Sequence, residues 1–284
     1  MEFWKSVLAF LDAKMETPQS YGWFHLLFIA LTIGGAVLLC VLHKKDDPDR
    51  VRKIVFVTAI AVIALEIYKQ INYSFSYSGE VVEFDYQWYA FPFQFCSTPM
   101  YAGLLAGIIK KGKVHDALCA YLATYALFAG VCVMVYPGDV FIGTIGINIQ
   151  TMICHGSMIS IGAYLLYSGH VKLQHKTILG AVAVFAVCVG SAAVMNEIAY
   201  FSGLLESETF NMFFISPHCD PSLPVYSLVQ GIVPFPFCLI IYIVAFSLAA
   251  YAILLAAMGI KKLSETVHAK QSAKSELKEV KVAH

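Results

Sequence analysis

Long apolar runs separated by short polar breaks dominate the chain. Seven runs reach the roughly 20 residues that a helix needs to cross a hydrocarbon core. They cover residues 21–42, 52–73, 90–109, 114–136, 147–168, 177–201 and 231–258. The pattern predicts an all-α, polytopic seven-helix bundle over residues 21–258. Residues 1–20 precede it, and 3-FWKSVLAFLDAK-14 reads as an amphipathic helix lying in the membrane interface. Residues 259–284 form a polar tail expected to be mobile.

Charge placement orients the bundle. Sixteen of the nineteen Lys and Arg residues fall in the first, third and fifth loops and the C-terminal tail, leaving Lys5, Lys14 and Lys69 on the other side. The positive-inside rule then puts the N-terminus outside and the tail in the cytoplasm. Composition agrees with a membrane protein: 59% of residues are hydrophobic and 13% charged, with a mean hydropathy of +0.70. A net charge of zero argues against a nucleic-acid partner. The N-terminus has no cleavable signal pattern. Eight cysteines without a C-x-x-C spacing suit neither a disulfide framework nor a thiolate zinc site. No nucleotide or metal motif appears, so no cofactor is expected.

Polar groups gather in one outer layer. Counting about 1.5 Å per residue puts Cys96 about 9 Å inside the third helix and His155 about 12 Å inside the fifth. Glu66 and Asn196 come out at about 10 Å from the same boundary, and His25 sits just inside the first helix. Asn148, Thr151 and His155 share a helical face, as do Glu66, Lys69, Gln70 and Tyr73. Cys154 is turned about 100° away from His155 and so faces elsewhere. Polar side chains in a bilayer face the bundle interior or a wet cavity, which predicts an outward-facing pocket.

Each residue also has a structural explanation. Glu66 and Lys69 can neutralise each other at i, i+3. Asn196 can tie helices together, and Cys40, Cys119, Cys132, Cys188 and Cys238 read as small hydrophobes. Gly103 and Gly107 permit close helix contact on the third helix. Cys96 lies in 91-FPFQFCSTPMY-101 between Pro92 and Pro99, with Gln94, Ser97 and Thr98 around it. A thiol in hydrocarbon is a poor nucleophile without a base, and His155 at matching depth is the candidate base. The long segment 202–230 carries no Lys or Arg, and its apolar NMFF and PVY stretches favour a packed lid.

The segments FPFQFCS at 91–97, NIQTMICHGSMISIGAYLLY at 148–167 and NMFFISPHCDPSLPVY at 211–226 resemble the YwaF-like seven-helix integral membrane proteins of bacteria. They are more distantly similar to the eukaryotic TMEM acyltransferases of ether phospholipids. The resemblance implies a Cys/His acyltransferase working on phospholipid and lysophospholipid in a bilayer, in a bacterial cytoplasmic membrane, with Cys96 and His155 at the matching positions. Bacterial members often carry a histidine where this chain has Gln94. Related small membrane hydrolases use threonine with histidine, which keeps Thr98 open as the nucleophile and hydrolysis open as the reaction. Gln94, Asn148, Thr151, Asn196, Glu66, Lys69 and Asn211 complete the expected oxyanion and substrate-binding set. The rival reading is a transporter or ligand-binding protein in which Glu66 and Lys69 carry substrate or coupling charge.

Overall fold

A computed structural model describes residues 2–42, 47–78, 81–203, 205, 209–220 and 224–282. Lys44 and Lys45 of the first basic loop and Pro221 of the long segment lie outside the described residues. Helices dominate: α1 (Glu2–Leu11), α2 (Trp23–Leu42), α3 (Pro48–Asn72), α4 (Thr98–Ile108), α5 (Lys113–Tyr121), α6 (Leu127–Val135), α7 (Ile145–Tyr167), α8 (Thr177–Ser202), α9 (Pro224–Ser227) and α10 (Phe235–Val282). A π-helical turn, Leu122–Ala126, joins α5 to α6 without a break. Strands β1 (Phe75–Ser78) and β2 (Val81–Phe84) pair as an antiparallel hairpin after α3.

Among the described residues, six helices are long and apolar enough to cross a membrane: α2, α3, the continuous α5–α6 helix, α7, α8 and α10. The third expected span is the exception. Residue 91 precedes Pro92, and a pre-proline residue is pushed out of the helical region. Phe91 accordingly sits at φ −49°, ψ 136°. The chain turns irregularly through residues 91–97, and Ser97 and Thr98 donate their backbone N–H groups to the Gln94 carbonyl. Only then does the 11-residue α4 begin. Its second residue is Pro99, whose missing N–H costs nothing in a first turn. Cys96 is therefore in a turn just ahead of α4 and not six residues inside a helix. Helix α10 continues without a break to Val282, through most of the segment read as a polar tail.

The α5–α6 helix is central: 72% of its apolar window is buried, against 17% for α2 and for α3. Tyr121, Ala123, Thr124, Tyr125 and Ala126 of this helix are completely enclosed. The outer helices present Leu31 and Val37 (α2), Val57 (α3), and Leu179, Val187 and Val194 (α8) outward, as lipid-facing surfaces do. α4 leans on α3 through its glycines. A Cβ on Gly103 would lie 3.1 Å from Ala59 Cβ, and one on Gly107 would lie 2.5 Å from Phe56 Cβ. At the same end Arg52 Nη1 donates to the Gly107 carbonyl, closing the last turn of α4 from outside.

The N-terminal segment is anchored to the lysine-poor end of the bundle. Tyr68 Oη and Asn72 Nδ2 donate to the Leu11 carbonyl. Met15 and Ile145 exchange backbone hydrogen bonds with Gly143 and Ala13. Phe3, Trp4 and Phe10 of α1 stay exposed, an apolar set available to an interface.

Candidate functional site

Cys96 opens onto a narrow cleft between α3, the start of α4, the π turn and α7. Val55, Ala59 and Val62 form one wall, Met100 and Gly103 the second, and Met158 and Ile161 the third. The few polar groups on the lining are Thr58, Ser157 and the thiols of Cys96 and Cys154. Cys96 is exposed, whereas Cys154 is buried and its Sγ receives Gln150 Nε2 at 3.4 Å. Helical phase had turned Cys154 away; the structure brings it to the cleft and leaves His155 off the lining. The neighbour across α3 and α4 is thus residue 154, because α7 meets these helices along the face one residue back from His155.

His155 is buried, and its Nδ1 lies 2.7 Å from the Thr151 carbonyl. A carbonyl only accepts, so Nδ1 carries the proton and Nε2 holds the lone pair. Lys69 is within electrostatic reach of His155 and Cys96, and Glu66 acts on Cys96 with the opposite sign. Its ammonium pairs with Glu66 Oε1 at 2.8 Å. Glu66 also receives Gln70 Nε2 at 2.8 Å and, from α7, Gln150 Nε2 at 3.3 Å. Gln70 Oε1 accepts from Tyr86 Oη in the loop after the hairpin. Burial, and then the nearby Glu66 carboxylate, push the Tyr86 phenol up from its ordinary value, so it stays a donor. This network links α3, α7 and the post-hairpin loop at the lysine-poor end.

Four predicted amides serve as tethers. Asn148 donates to the Ile142 carbonyl and accepts from the Ile142 N–H, fixing the loop before α7. Asn196 does the same for Met212, at 3.0 and 2.7 Å. Gln94 Oε1 accepts from Phe213 N–H while its Nε2 donates to the Asn211 carbonyl. Asn211 Oδ1 accepts from Ser216 N–H. The 209–216 segment is therefore packed, as its apolar content predicts. Phe213 is fully buried against Phe93, Phe95 and Phe185, and it holds φ at 60° under these tethers. Thr151 Oγ1 donates to Gln150 Oε1 at 3.3 Å.

Thr98, the other candidate nucleophile, is buried with its hydroxyl engaged twice. It donates to the Phe95 carbonyl at 2.9 Å and meets Tyr121 Oη at 2.6 Å. His25 is likewise committed: Nδ1 accepts from Tyr21 N–H, and Nε2 reaches the Met134 carbonyl at 3.0 Å.

A second cluster, His115, Cys119 and His170, escaped the sequence reading. The His-x-x-x-Cys spacing was visible, but His170 comes from the turn after α7, 51 positions beyond Cys119, and no local pattern ties it in.

No curated protein and no solved structure matches the chain. The model of the TMEM164 family matches residues 17–256, a stretch that contains the Cys96 cleft, the 209–216 segment and all six long helices up to the apolar part of α10. With its membrane-spanning body inside that match, the chain belongs to the TMEM164 family.

Proposed function

We propose that this protein is a membrane-embedded lipid acyltransferase in which Cys96 is the nucleophile and His155 the base. The observation that carries the reading is the position of Cys96: an exposed thiol, at the N-terminal end of α4, on a narrow cleft with apolar walls. Apolar walls suit an acyl chain, for which α3, α4 and α7 would have to part, and an ester carbonyl at its head would then lie by the thiol. The YwaF-like likeness and the acyl transfer it implies belong to the same reading, as do α4 as a seventh, partial span and a bacterial cytoplasmic membrane as the location.

The chemistry runs in two halves. His155 lies off the cleft lining, so in this reading a rotation of α7 or one bridging water brings its Nε2 to the Cys96 proton. The thiolate attacks the ester carbonyl of a phospholipid. The tetrahedral intermediate collapses to a thioester, and the lysophospholipid leaves with the proton from His155. A second lysophospholipid hydroxyl then gives its proton to His155, attacks the thioester and restores the thiol. Water in that last role gives hydrolysis instead. The positive end of α4 favours the thiolate and the oxyanion, and Lys69 adds to it only as far as the paired Glu66 carboxylate leaves its charge uncancelled. Gln94, Asn148, Asn196 and Asn211, spent on backbone tethers, serve by holding the loops around the site. Two side-chain facts favour Cys96 over Thr98 and Cys154: the Thr98 hydroxyl is engaged twice, and Cys154 is buried beneath Gln150.

Intact-mass measurement on purified protein incubated with phospholipid vesicles tests this. An acyl adduct is expected on wild type and on Cys154→Ala and Thr98→Val, with none on Cys96→Ala and little on His155→Ala. An adduct that survives Cys96→Ala removes the proposed nucleophile.

A further inference from the structure

At the lysine-rich end of the bundle, three metal-ligand side chains converge. His115 and Cys119 stand four residues apart on α5, so one helical face carries both. His170 reaches them from the turn after α7. His115 Nε2 lies 2.9 Å from His170 Nε2 and 3.5 Å from Cys119 Sγ, and the three ligand atoms fall within 4.8 Å of one another. His115 and Cys119 are 3% and 2% exposed, so the cluster is walled in from the helix side.

The orientation of His115 carries the argument further. Its Nδ1 lies 3.1 Å from the Ala106 carbonyl near the end of α4. Since a carbonyl only accepts, Nδ1 holds the proton and Nε2 aims its lone pair at Cys119 and His170. A backbone carbonyl fixing the tautomer this way is the usual support for a metal-ligating histidine. A hydrogen-bonded histidine pair accounts for the 2.9 Å separation alone; it gives no reason for a thiol to close the third side.

Distances can be checked against a tetrahedral ion. Zinc bonds of about 2.0–2.1 Å to nitrogen and about 2.3 Å to sulfur imply N···S of about 3.6 Å and N···N of about 3.3 Å. The His115–Cys119 separation of 3.5 Å agrees, the His170–Cys119 separation lies within 4.8 Å, and the N···N separation of 2.9 Å needs an opening of only a few tenths of an ångström. We propose that His115, Cys119 and His170 bind a zinc-class divalent cation, with water in the fourth position. Two imidazoles and a thiolate select zinc over magnesium or calcium. Binding releases the Cys119 proton to solvent and leaves the thiolate on the ion. Lys113 and Lys172, two residues along the chain from His115 and His170, are exposed, and the Asp116 carboxylate is within electrostatic reach of Cys119. The ion would join the first turns of α5 to the α7–α8 turn and, through Ala106, to the end of α4.

The test uses full-length protein in detergent, purified without chelator, with zinc measured directly and cobalt substituted as a spectroscopic probe. The expected result is a single metal ion per chain and a thiolate-to-cobalt charge-transfer band. Cys119→Ser should lose the band, and His115→Ala and His170→Ala should each weaken zinc binding by more than the roughly 10–100-fold typical of losing an outer-shell partner. Cys96→Ala and Cys154→Ala should keep metal and band. Helical circular dichroism confirms that each variant is folded, and Cys119→Ala and His170→Gln replace any that is not. Wild type that binds neither ion, or a folded Cys119 variant that keeps the band, overturns the proposal.

Discussion

Lys69 Nζ lies 2.8 Å from Glu66 Oε1, one turn earlier on α3, and only 16% and 8% of the two side chains is exposed. Removing one partner strands the other's charge away from water, a loss of about 3–5 kcal/mol for buried pairs. Lys69→Met should therefore lower the thermal midpoint in detergent sharply. Glu66→Gln/Lys69→Met removes both charges and should recover most of the loss, since Gln70 and Gln150 remain to bond the new amide. The same double variant separates the two functional readings. An acyltransferase should still form its thioester, since the two charges removed act on Cys96 with opposite sign. A transporter coupled through these residues would lose function outright, and that outcome would shift the assignment.

Thr98 and Cys96 are two residues apart yet differently placed. Thr98→Val removes the hydrogen bonds to the Phe95 carbonyl and Tyr121. It should cost about 1–3 kcal/mol, because Tyr121 Oη is left buried and short of a partner. Thioester formation per folded molecule should stay near the wild-type rate. Cys96→Ser should be nearly as stable as wild type and form no thioester. If Thr98→Val abolishes acyl chemistry while Cys96→Ser retains it, the nucleophile is the threonine.

Much of the fold was legible because lipid imposes a strong pattern. Helix α7 was expected at 147–168 and spans Ile145–Tyr167; α8 was expected at 177–201 and spans Thr177–Ser202. What escaped has local physical causes. Pro92 displaced the start of α4 and moved Cys96 out of the helix, although the apolar run continued through both. Asn196 could be given a depth from sequence and Asn148 a helical face, but their partners, like that of Asn211, are backbone groups of loops, which no periodicity reveals. Cys154 illustrates the limit of helical phase: 100° from His155 is correct, but which of the two faces the cleft depends on how α7 rotates against α3 and α4. The His115–Cys119–His170 cluster needed the α7–α8 turn to be folded back before it existed at all.

Asn196 holds Met212 by both its N–H and its carbonyl, and all three groups are buried. Asn196→Ala leaves two backbone groups without these partners, at about 1–3 kcal/mol each. The packed 209–216 segment should loosen first, since Phe213 is held at a positive φ by contacts of this kind. Limited proteolysis should cut near this segment in the variant well before wild type. Equal cleavage rates in the two would mean that the aromatic packing of Phe213 alone holds the segment.

Gly107 tests whether the close approach of α4 and α3 shapes the cleft. A Cβ there would lie 2.5 Å from Phe56 Cβ and 2.9 Å from Phe56 Cα, so rotating the phenyl ring gives no relief. Gly107→Ala must push the helices apart or bend α4, at about 1–3 kcal/mol. Because Val55, Ala59 and Gly103 on the same contact line the cleft, the displacement should also slow acylation of Cys96. Gly34 is the control: a Cβ there meets nothing within 4 Å. Gly34→Ala on the outer face of α2 should be neutral or stabilising by up to ~1 kcal/mol through helix propensity. Thermal unfolding in detergent reads both variants, and a Gly107→Ala protein as stable and as readily acylated as wild type would show that α4 does not need this contact.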